Sequence, residues 1–430
     1  VLGAWAVLTR PEPTLTKLLP TIVGTAVSIA VLWFLSPRPV RTPDAHAESA
    51  DAAVATDGTR AAVATATPVE SMTMVGVDRR RFVTASVGIG SVAVMAGGLG
   101  RMLQQRFEVV GERDDIALPG VDSPAVALPA NVDLPVEGLD PFVTPNAAFY
   151  RIDTALVVPQ VSKDSWSLKI GGMVDNELEL TFDDLLARPQ IERHITLSCV
   201  SNPVGGDLIG NALWQGVLLR EVLEEAGVDP AATQVVSRSV DGWTAGTPTE
   251  VIMDGRDAML AVAMNGEPLP ARHGYPVRMV VPGLYGYVSA TKWVTEIELT
   301  RWEDYDAYWV PRGWSKEGPI KTMARVDTDR PGAGPGEAVV GGIAWAIHRG
   351  VSKVQVRLDR GEWTDAEIGG VPSNDTWVQW MHRFEAPPGR YMVEARAVDG
   401  DGVPQPEEPA PVAPNGAQGY PRRFVDIASA

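Results

Sequence analysis

Cys199 is the only cysteine in the 430-residue chain and the side chain in it with the widest chemical range. The polar residues Thr196 and Ser198 alternate with apolar neighbours up to this cysteine, which is the spacing of a β-strand. Residues 202–207 follow with Asn, Pro, Gly and Asp, a composition that predicts a loop. The thiol is therefore expected where a strand opens into a loop, a common position for a functional side chain.

A lone thiol leaves three kinds of role open. It excludes a disulfide within the chain and a zinc site built from several thiolates. The remaining roles are inert packing, a nucleophile, and one soft ligand to a metal held mainly by another group. A cysteine hydrolase would need a base such as His194. Strand alternation places that residue on the face opposite Cys199.

The segments around Cys199 follow one another along the chain in a specific order. In chain order they are residues 144–151, 196–199, 207–217, 264–270, 273–278, 281–286 and 290–293. The order of these segments and their residues resemble the sulfite oxidase family of molybdopterin-dependent oxidoreductases, in its membrane-anchored bacterial form. The resemblance covers most of residues 141–427. Each segment alone is weak evidence, whereas the ordered set is specific.

The resemblance implies a molybdenum–molybdopterin cofactor, with Cys199 as the single protein ligand of the metal. A soft thiolate suits a thiophilic metal whose other sulfurs come from the pterin dithiolene. The matching segments imply cofactor-binding roles for Asn146, Phe149, Tyr150, Arg151, His273, Arg278, Ala290, Thr291 and Lys292. Because the pterin carries a phosphate, Arg278 and Lys292 can pair with it through charge-assisted hydrogen bonds.

The resemblance also implies two catalytic side chains besides Cys199. Arg151 takes a place near the metal, and the segment 302–305 resembles the one that carries the family's active-site tyrosine. We assign that tyrosine to Tyr305, with Tyr308 as the alternative one turn further on. Both side chains would orient an oxyanion or oxide by charge and hydrogen bonding.

One departure from the family pattern concerns the substrate. Members that oxidise sulfite usually carry Asn-Arg-Arg after the ligand cysteine, whereas Asn202 is followed here by Pro203 and Val204. A basic residue expected to hold a dianionic substrate is therefore missing. Three other cations could take its place: Arg301, Arg312 and Lys316.

We expect a molybdenum oxidoreductase that transfers an oxygen atom to or from a small substrate such as sulfite or a sulfoxide. The metal would cycle between Mo(VI) and Mo(IV). The alternative is a membrane-tethered binding or scaffold protein with the same fold and no turnover. The sequence has no C-x-x-C-H motif and too few cysteines for an iron–sulfur cluster. Electrons are therefore expected to pass to or from a separate carrier, a cytochrome or a quinone-linked protein.

Residues 1–106 are predicted to anchor the chain in a membrane. Two apolar stretches, about 18–35 and 82–103, are long enough to span a bilayer. The intervening residues 36–77 predict a disordered loop. The three arginines 79–81 resemble a twin-arginine export signal, and ordinary positive-inside flanking charge explains them equally well. Both interpretations place the rest of the chain on the extracytoplasmic side of the cell membrane.

The charge distribution separates the same two parts. Residues 1–106 carry 10 basic and 7 acidic side chains, a net charge of +3. The remaining residues carry 27 basic and 47 acidic side chains, a net charge of −20. Such an acidic domain excludes nucleic-acid binding as a plausible function.

We predict an α+β fold for the acidic part, with a linker over 107–140. A mixed α/β molybdopterin-binding domain would follow over 141–321, and an immunoglobulin-like β-sandwich over 322–430 would form a homodimer. Strands are predicted at 167–170, 194–200, 234–238, 277–281, 293–299, 353–359 and 391–398. A helix over 218–226 would end at Gly227, and Thr181 with Asp184 predicts a helix start.

Overall fold

A computed structural model describes residues 109–328 and 337–427 of the chain. The predicted membrane spans, their connecting loop and the triple arginine lie outside these residues. None of the helices in the described residues has the length and apolar character needed to cross a membrane. The described residues, 109–328 and 337–427, belong to one compact unit.

The described chain is built mainly from strands, which form two sheets before residue 301. The first has the order β2-β1-β10-β5-β6, and only its β1–β10 pair is parallel. Its strands are β1 (Ser167–Gly172), β2 (Leu178–Thr181), β5 (Gln234–Ser239), β6 (Thr244–Pro248) and β10 (Val294–Thr300). The second sheet is antiparallel, with the order β3-β4-β7-β8 and with β9 also paired to β7. Its strands are β3 (Ile191–Ser198), β4 (Ile209–Leu218), β7 (Met259–Met264), β8 (Glu267–Pro268) and β9 (Arg278–Val280).

Helices in the described residues are short, between four and eight residues each. They are α1 (Val110–Asp114), α2 (Phe182–Leu186), α3 (Leu219–Ala226), α4 (Thr249–Met253) and α5 (Gly286–Ser289). The predicted start of α2 is confirmed, because Thr181 and Asp184 form a reciprocal capping box. The predicted end of α3 is also confirmed, since Gly227 takes a left-handed conformation with φ of 72°.

Two four-stranded antiparallel sheets follow, with the orders β11-β12-β16-β15 and β14-β13-β17-β18. Their strands are β11 (Met323–Val326), β12 (Glu337–Trp345), β13 (Val351–Leu358), β14 (Thr364–Asp365), β15 (Glu367–Ile368), β16 (Val378–Glu385), β17 (Gly389–Asp399) and β18 (Arg422–Ile427). Residues of both sheets share one apolar core around Trp380 and Val354. The two sheets therefore pack face to face as a sandwich.

The loop before β16 holds the strand that leads to Cys199. The Thr196 backbone N–H on β3 donates to the Asp375 carbonyl at 2.9 Å, and the Trp377 backbone N–H donates to Thr196 Oγ1 at 2.8 Å. The Trp377 indole also donates to the carbonyl of Phe142 at 3.0 Å. The end of β3 is therefore fixed from the side of the sandwich as well as by its own sheet.

Candidate active site

Cys199 lies directly after β3, at the predicted junction of a strand and a loop. Its backbone N–H donates to the Leu208 carbonyl at 2.9 Å, and its Sγ accepts from the Ser201 backbone N–H at 3.4 Å. Burial raises the pKa of the thiol, and the Ser201 hydrogen bonds offset only part of that rise. A raised pKa disfavours a free thiolate nucleophile, whereas a bound metal deprotonates a coordinating thiol outright.

The cysteine lies in the wall of an open cavity. Seven of the residues predicted from the sequence line this cavity: Phe149, Tyr150, Cys199, His273, Arg278, Ala290 and Lys292. Five further aromatic residues contribute to the lining: Trp243, Tyr287, Trp293, Trp309 and Trp314. His194, the base considered for a hydrolase, is not part of the lining.

Three parts of the chain converge on the cavity beside the strand that carries Cys199. Arg278 opens β9, Lys292 follows α5, and Phe149 with Tyr150 comes from the loop after residue 144. Phe149 fits because its ring lies against Gly210 on β4. A Cβ atom at Gly210 would come within 2.8 Å of that ring, so the close approach requires glycine.

Arg278 is a buried cation without a carboxylate partner in the part of the chain that the structure describes. Its residue is 5% exposed. Its guanidinium donates to the carbonyls of His273 at 3.0 Å, Ala290 at 3.4 Å and Met279 at 3.5 Å, and it lies 4.9 Å from the Trp214 ring centroid. Burial lowers the pKa of Arg278 to about 10, so the group stays charged at neutral pH. An unpaired buried cation at a cavity indicates an anionic ligand.

Lys292 is the second cation of the lining, and it forms an ion pair with Asp153. Its Nζ donates to Asp153 Oδ2 at 2.7 Å, and Arg151 Nε donates to the same oxygen at 2.7 Å. Burial lowers the pKa of Lys292 to about 8 against the opposing effect of Asp153. Burial alone would raise the pKa of Asp153, but the hydrogen bonds from Arg151 and Lys292 hold it below its ordinary value.

His273 is oriented by the first of the matching segments. Its Nε2 lies 3.0 Å from the carbonyl oxygen of Asn146, and its ring makes an edge contact with Phe149 at 5.7 Å between centroids. Burial, together with the charge of Arg278, lowers the pKa of His273 to about 3. The imidazole is therefore neutral at physiological pH and acts as a hydrogen-bonding group, not as a cation.

Four predicted site residues do not line the cavity. The side chain of Asn146 bonds to the Met264 carbonyl and to Glu267, so this residue positions His273 through its backbone. Thr291 is fully buried, with its hydroxyl 2.6 Å from that of Ser237.

The two residues given catalytic roles also lie outside the lining. Arg151 is exposed, and its guanidinium forms an ion pair with Asp153, two residues further along the same loop. Tyr305 lies over Arg238, which donates to its hydroxyl at 3.2 Å, and the hydroxyl lies 3.3 Å from Thr244 Oγ1. Tyr308 is likewise outside the lining, stacked under the Arg312 guanidinium at 3.7 Å.

Sequence reasoning missed the aromatic part of the wall. Trp309 and Trp314 pack edge to face at 6.3 Å, and Tyr287 contacts Trp314 at 6.1 Å. The available signal was the aromatic run over 302–314, from which only the tyrosines were considered. Ser239 was also missed. Its Oγ is buried and has no hydrogen-bond partner among the described residues, although the residue lines the cavity.

Comparisons with known proteins match this geometry. A family model described as "Oxidoreductase molybdopterin binding domain" matches residues 155–309, which include Cys199, Arg278 and Lys292. Sulfite oxidase of Gallus gallus is 31% identical over 337 residues, which cover 66% of this chain and 72% of that protein. The chain belongs to the sulfite oxidase family.

Two further relatives show how much of the chain the similarity covers. Mitochondrial sulfite oxidase of Rattus norvegicus is 29% identical over 336 residues, and the chain spans 61% of the length of that protein. The sulfane dehydrogenase SoxCD from Paracoccus pantotrophus has 25% sequence identity and a TM-score of 0.57, over 69% of this chain and 85% of that chain. The described residues therefore have the sulfite oxidase-like fold.

Molybdopterin with molybdenum is the cofactor of this family, and the cavity fits it. The buried charge of Arg278 lacks a carboxylate, and Lys292 adds a second cation, so the lining suits a phosphate group. The unpartnered Ser239 hydroxyl supplies a polar contact. Cys199 supplies the soft donor that a thiophilic metal prefers.

Proposed function

We propose that this protein is a molybdenum oxidoreductase that transfers an oxygen atom to or from a small substrate at Cys199. Bound there, the molybdenum cofactor supplies two-electron oxygen-atom transfer. The observation that carries the proposal is one cavity with a soft thiol and a buried guanidinium that lacks a carboxylate among the described residues. The printed names of the relatives, sulfite oxidase and sulfane dehydrogenase, support oxidation or reduction at sulfur.

The residues of the cavity divide into two sets in this proposal. Cys199 holds the metal, while Arg278 and Lys292 bind the phosphate of the pterin. His273, neutral and held by the Asn146 carbonyl, hydrogen-bonds to the cofactor. The Trp309 and Trp314 side chains face the remaining space and exclude water from it.

Arg151 acts indirectly in this arrangement. It holds Asp153 by two hydrogen bonds, at 2.7 and 3.3 Å, and Asp153 in turn positions Lys292. The Tyr305 hydroxyl bonds to Arg238 and Thr244 and is not in the cavity lining, so its catalytic role stays a prediction.

The overall reaction needs an external electron carrier. One substrate molecule and one water give the oxygenated product, two protons and two electrons, or the reverse. The sequence contains no motif for a second redox centre, which supports a separate carrier such as a cytochrome or a quinone-linked protein. The apolar stretches 18–35 and 82–103 and the arginines 79–81 support anchoring in the cell membrane, with the cavity on the extracytoplasmic side.

The sandwich is proposed to be immunoglobulin-like and to serve as a dimer interface. Two antiparallel sheets that share one apolar core support the first part. The part of the sandwich that the structure describes has no group of three or more side chains that could hold a metal ion, which supports a structural role.

Two measurements on the purified full chain test the proposal. Elemental analysis should give about one molybdenum per chain. Replacing Cys199→Ser should lower turnover by about 100-fold or more, because the hydroxyl is a poor ligand for a soft metal. Ser165→Ala is the control, since this serine is exposed and lies outside the cavity lining. A folded protein without molybdenum would overturn the proposal.

A further inference from the structure

Among the described residues, the cavity wall beyond those assigned to the cofactor has no free cation. The lining contains two acidic residues, Asp153 and Asp241, and two residues that are cationic at neutral pH, Arg278 and Lys292. His273 is neutral, as its lowered pKa requires. Because both cations are assigned to the phosphate, no positive side chain of the lining in the described chain is left for a substrate.

The cations considered as substitutes for the missing basic residue, Arg301, Arg312 and Lys316, do not line the cavity. Lys316 bonds to Asp306 at 2.7 Å and to the Trp302 carbonyl at 2.6 Å. Arg312 lies over the Tyr308 ring at the surface. Neither these two nor Arg301 lines the cavity.

The acidic side chains of the lining also disfavour binding of a dianionic substrate. Asp153 is neutralised by Lys292 and Arg151, but Asp241 is exposed and has no ion-pair partner within the described residues. The net charge of −20 over residues 107–430 adds a long-range repulsion. A substrate with two negative charges would lose its hydration here without a compensating cation.

Tyr150 offers a hydrogen-bond donor in the same cavity wall as the thiol. Tyr150, Gly286 and Cys199 all line the cavity, and a Cβ atom built on Gly286 would lie 4.0 Å from the Tyr150 hydroxyl. The Tyr150 hydroxyl has no hydrogen-bond partner among the described residues. Burial raises its pKa far above the ordinary value, so the group stays protonated and can donate.

We propose that the substrate is uncharged and carries an apolar or aromatic group, as a sulfoxide and its thioether do, and that sulfite is discriminated against. This inference rests on the proposed function. The substrate oxygen accepts from the Tyr150 hydroxyl, and the apolar group packs against Trp309 and Trp314. Aromatic surfaces of this kind bind apolar groups through burial and edge contacts.

Calorimetric titration of the molybdenum-loaded protein with two unreactive probes tests the proposal. Methyl phenyl sulfone represents the uncharged class, and sulfate represents the dianion. The sulfone should bind at least about tenfold more tightly than sulfate. Equal affinities, tighter binding of sulfate, or no binding of the sulfone at millimolar concentration would overturn the inference.

Variants locate the binding. Tyr150→Phe and Trp314→Leu should each weaken the affinity for the sulfone by about tenfold. Trp363→Leu is the control, because Trp363 contacts Arg357 in the sandwich, and it should leave this affinity unchanged. Trp314→Arg should gain affinity for sulfate. Unchanged sulfone affinity in both Tyr150→Phe and Trp314→Leu would contradict the assigned site. Molybdenum content, measured for every variant, reports retention of the cofactor independently of turnover.

The two proposals fail differently. Tight sulfate binding with two-electron turnover of sulfite overturns the inference and leaves the oxidoreductase function standing. Selective sulfone binding without turnover of any sulfur or nitrogen oxide supports the inference about the cavity and removes the proposed function.

Discussion

Two arginines with the same burial differ in what surrounds them. Arg278 at the cavity is 5% exposed, and Arg325 on β11 is 6% exposed. Arg325 donates to two carboxylates, Asp140 and Asp327, whereas Arg278 contacts carbonyl oxygens and the face of Trp214 and no carboxylate among the described residues.

The pKa shifts of the two groups go in opposite directions. Burial alone would lower the pKa of Arg325, but the two carboxylates raise it above its ordinary value. For Arg278, burial prevails and lowers the pKa to about 10. A buried charge that the chain itself balances is part of the fold, whereas one it leaves unbalanced marks a place for a ligand.

Replacing each arginine by methionine should therefore have opposite consequences. Arg278→Met removes a cation that only the cofactor pairs with, so molybdenum content should fall by at least about tenfold. The stability of the cofactor-free protein should be unchanged or higher, because an unpaired buried charge is lost.

Arg325→Met is the matched control. It should destabilise the fold by about 3–5 kcal/mol, since Asp140 and Asp327 lose their partner. Molybdenum content per folded chain should stay at the wild-type level. Urea unfolding and elemental analysis of both variants measure the two effects, and equal molybdenum loss in both would break the comparison.

Lys292 gives the comparison a pH dependence. Its pKa of about 8 means that the charged form, which binds a phosphate, dominates below that pH. Binding the phosphate raises the pKa of Lys292, so the ratio of wild-type to Lys292→Arg cofactor affinity should be constant below about pH 8 and should fall by up to about tenfold per unit above it. Deprotonation of Cys199 on metal binding affects both proteins alike and cancels in this ratio, whereas arginine keeps its charge at every pH tested. Gel filtration of both proteins at pH 7 and pH 9.5 followed by molybdenum analysis measures the ratio, and a ratio that rises with pH would contradict the assignment.

The smallest expected effect is on stability, and it concerns a carboxylate that pairs with arginines inside the sandwich. Glu394 is fully buried and accepts from Arg357 at 2.6 Å and from Arg422 at 2.7 Å. Burial alone would raise its pKa, but these arginines lower it below the ordinary value. Its contribution to stability is therefore present above the unfolded-state pKa and is lost as the pH falls through the lowered folded-state pKa.

Glu394→Gln should lower the free energy of unfolding at pH 7 by about 1–3 kcal/mol. The difference from the wild type should shrink in acid, because the wild type loses the same interaction there. Urea unfolding at pH 7 and at acidic pH measures the difference, and Glu367→Gln on the exposed edge of β15 is the control. A difference that grows in acid would refute the assigned sign.

The sequence was sufficient to bring Cys199, Arg278 and Lys292 to one site, because each lies in a segment that resembles the corresponding segment of the family. The aromatic wall could not be predicted in the same way. Trp309 and Trp314 follow no periodic pattern, and the chain carries 13 tryptophans in all. Their place in the wall depends on how the loop after β10 returns to the cavity.

The interaction of Arg151 was also beyond the sequence. Its partner Asp153 is only two residues away in an irregular loop, where no periodicity fixes the directions of side chains. Tyr305 was assigned from its neighbours in the sequence, yet the loop places it over Arg238 instead. Strand alternation determines which face a residue takes, whereas a loop residue depends on tertiary packing.

X-ray absorption at the molybdenum edge tests the central claim most directly, because it counts the sulfur atoms bound to the metal. The wild-type protein should show one more sulfur ligand than Cys199→Ser, with the pterin sulfurs present in both. An identical sulfur shell in the two proteins, at equal molybdenum content, would show that Cys199 does not hold the metal.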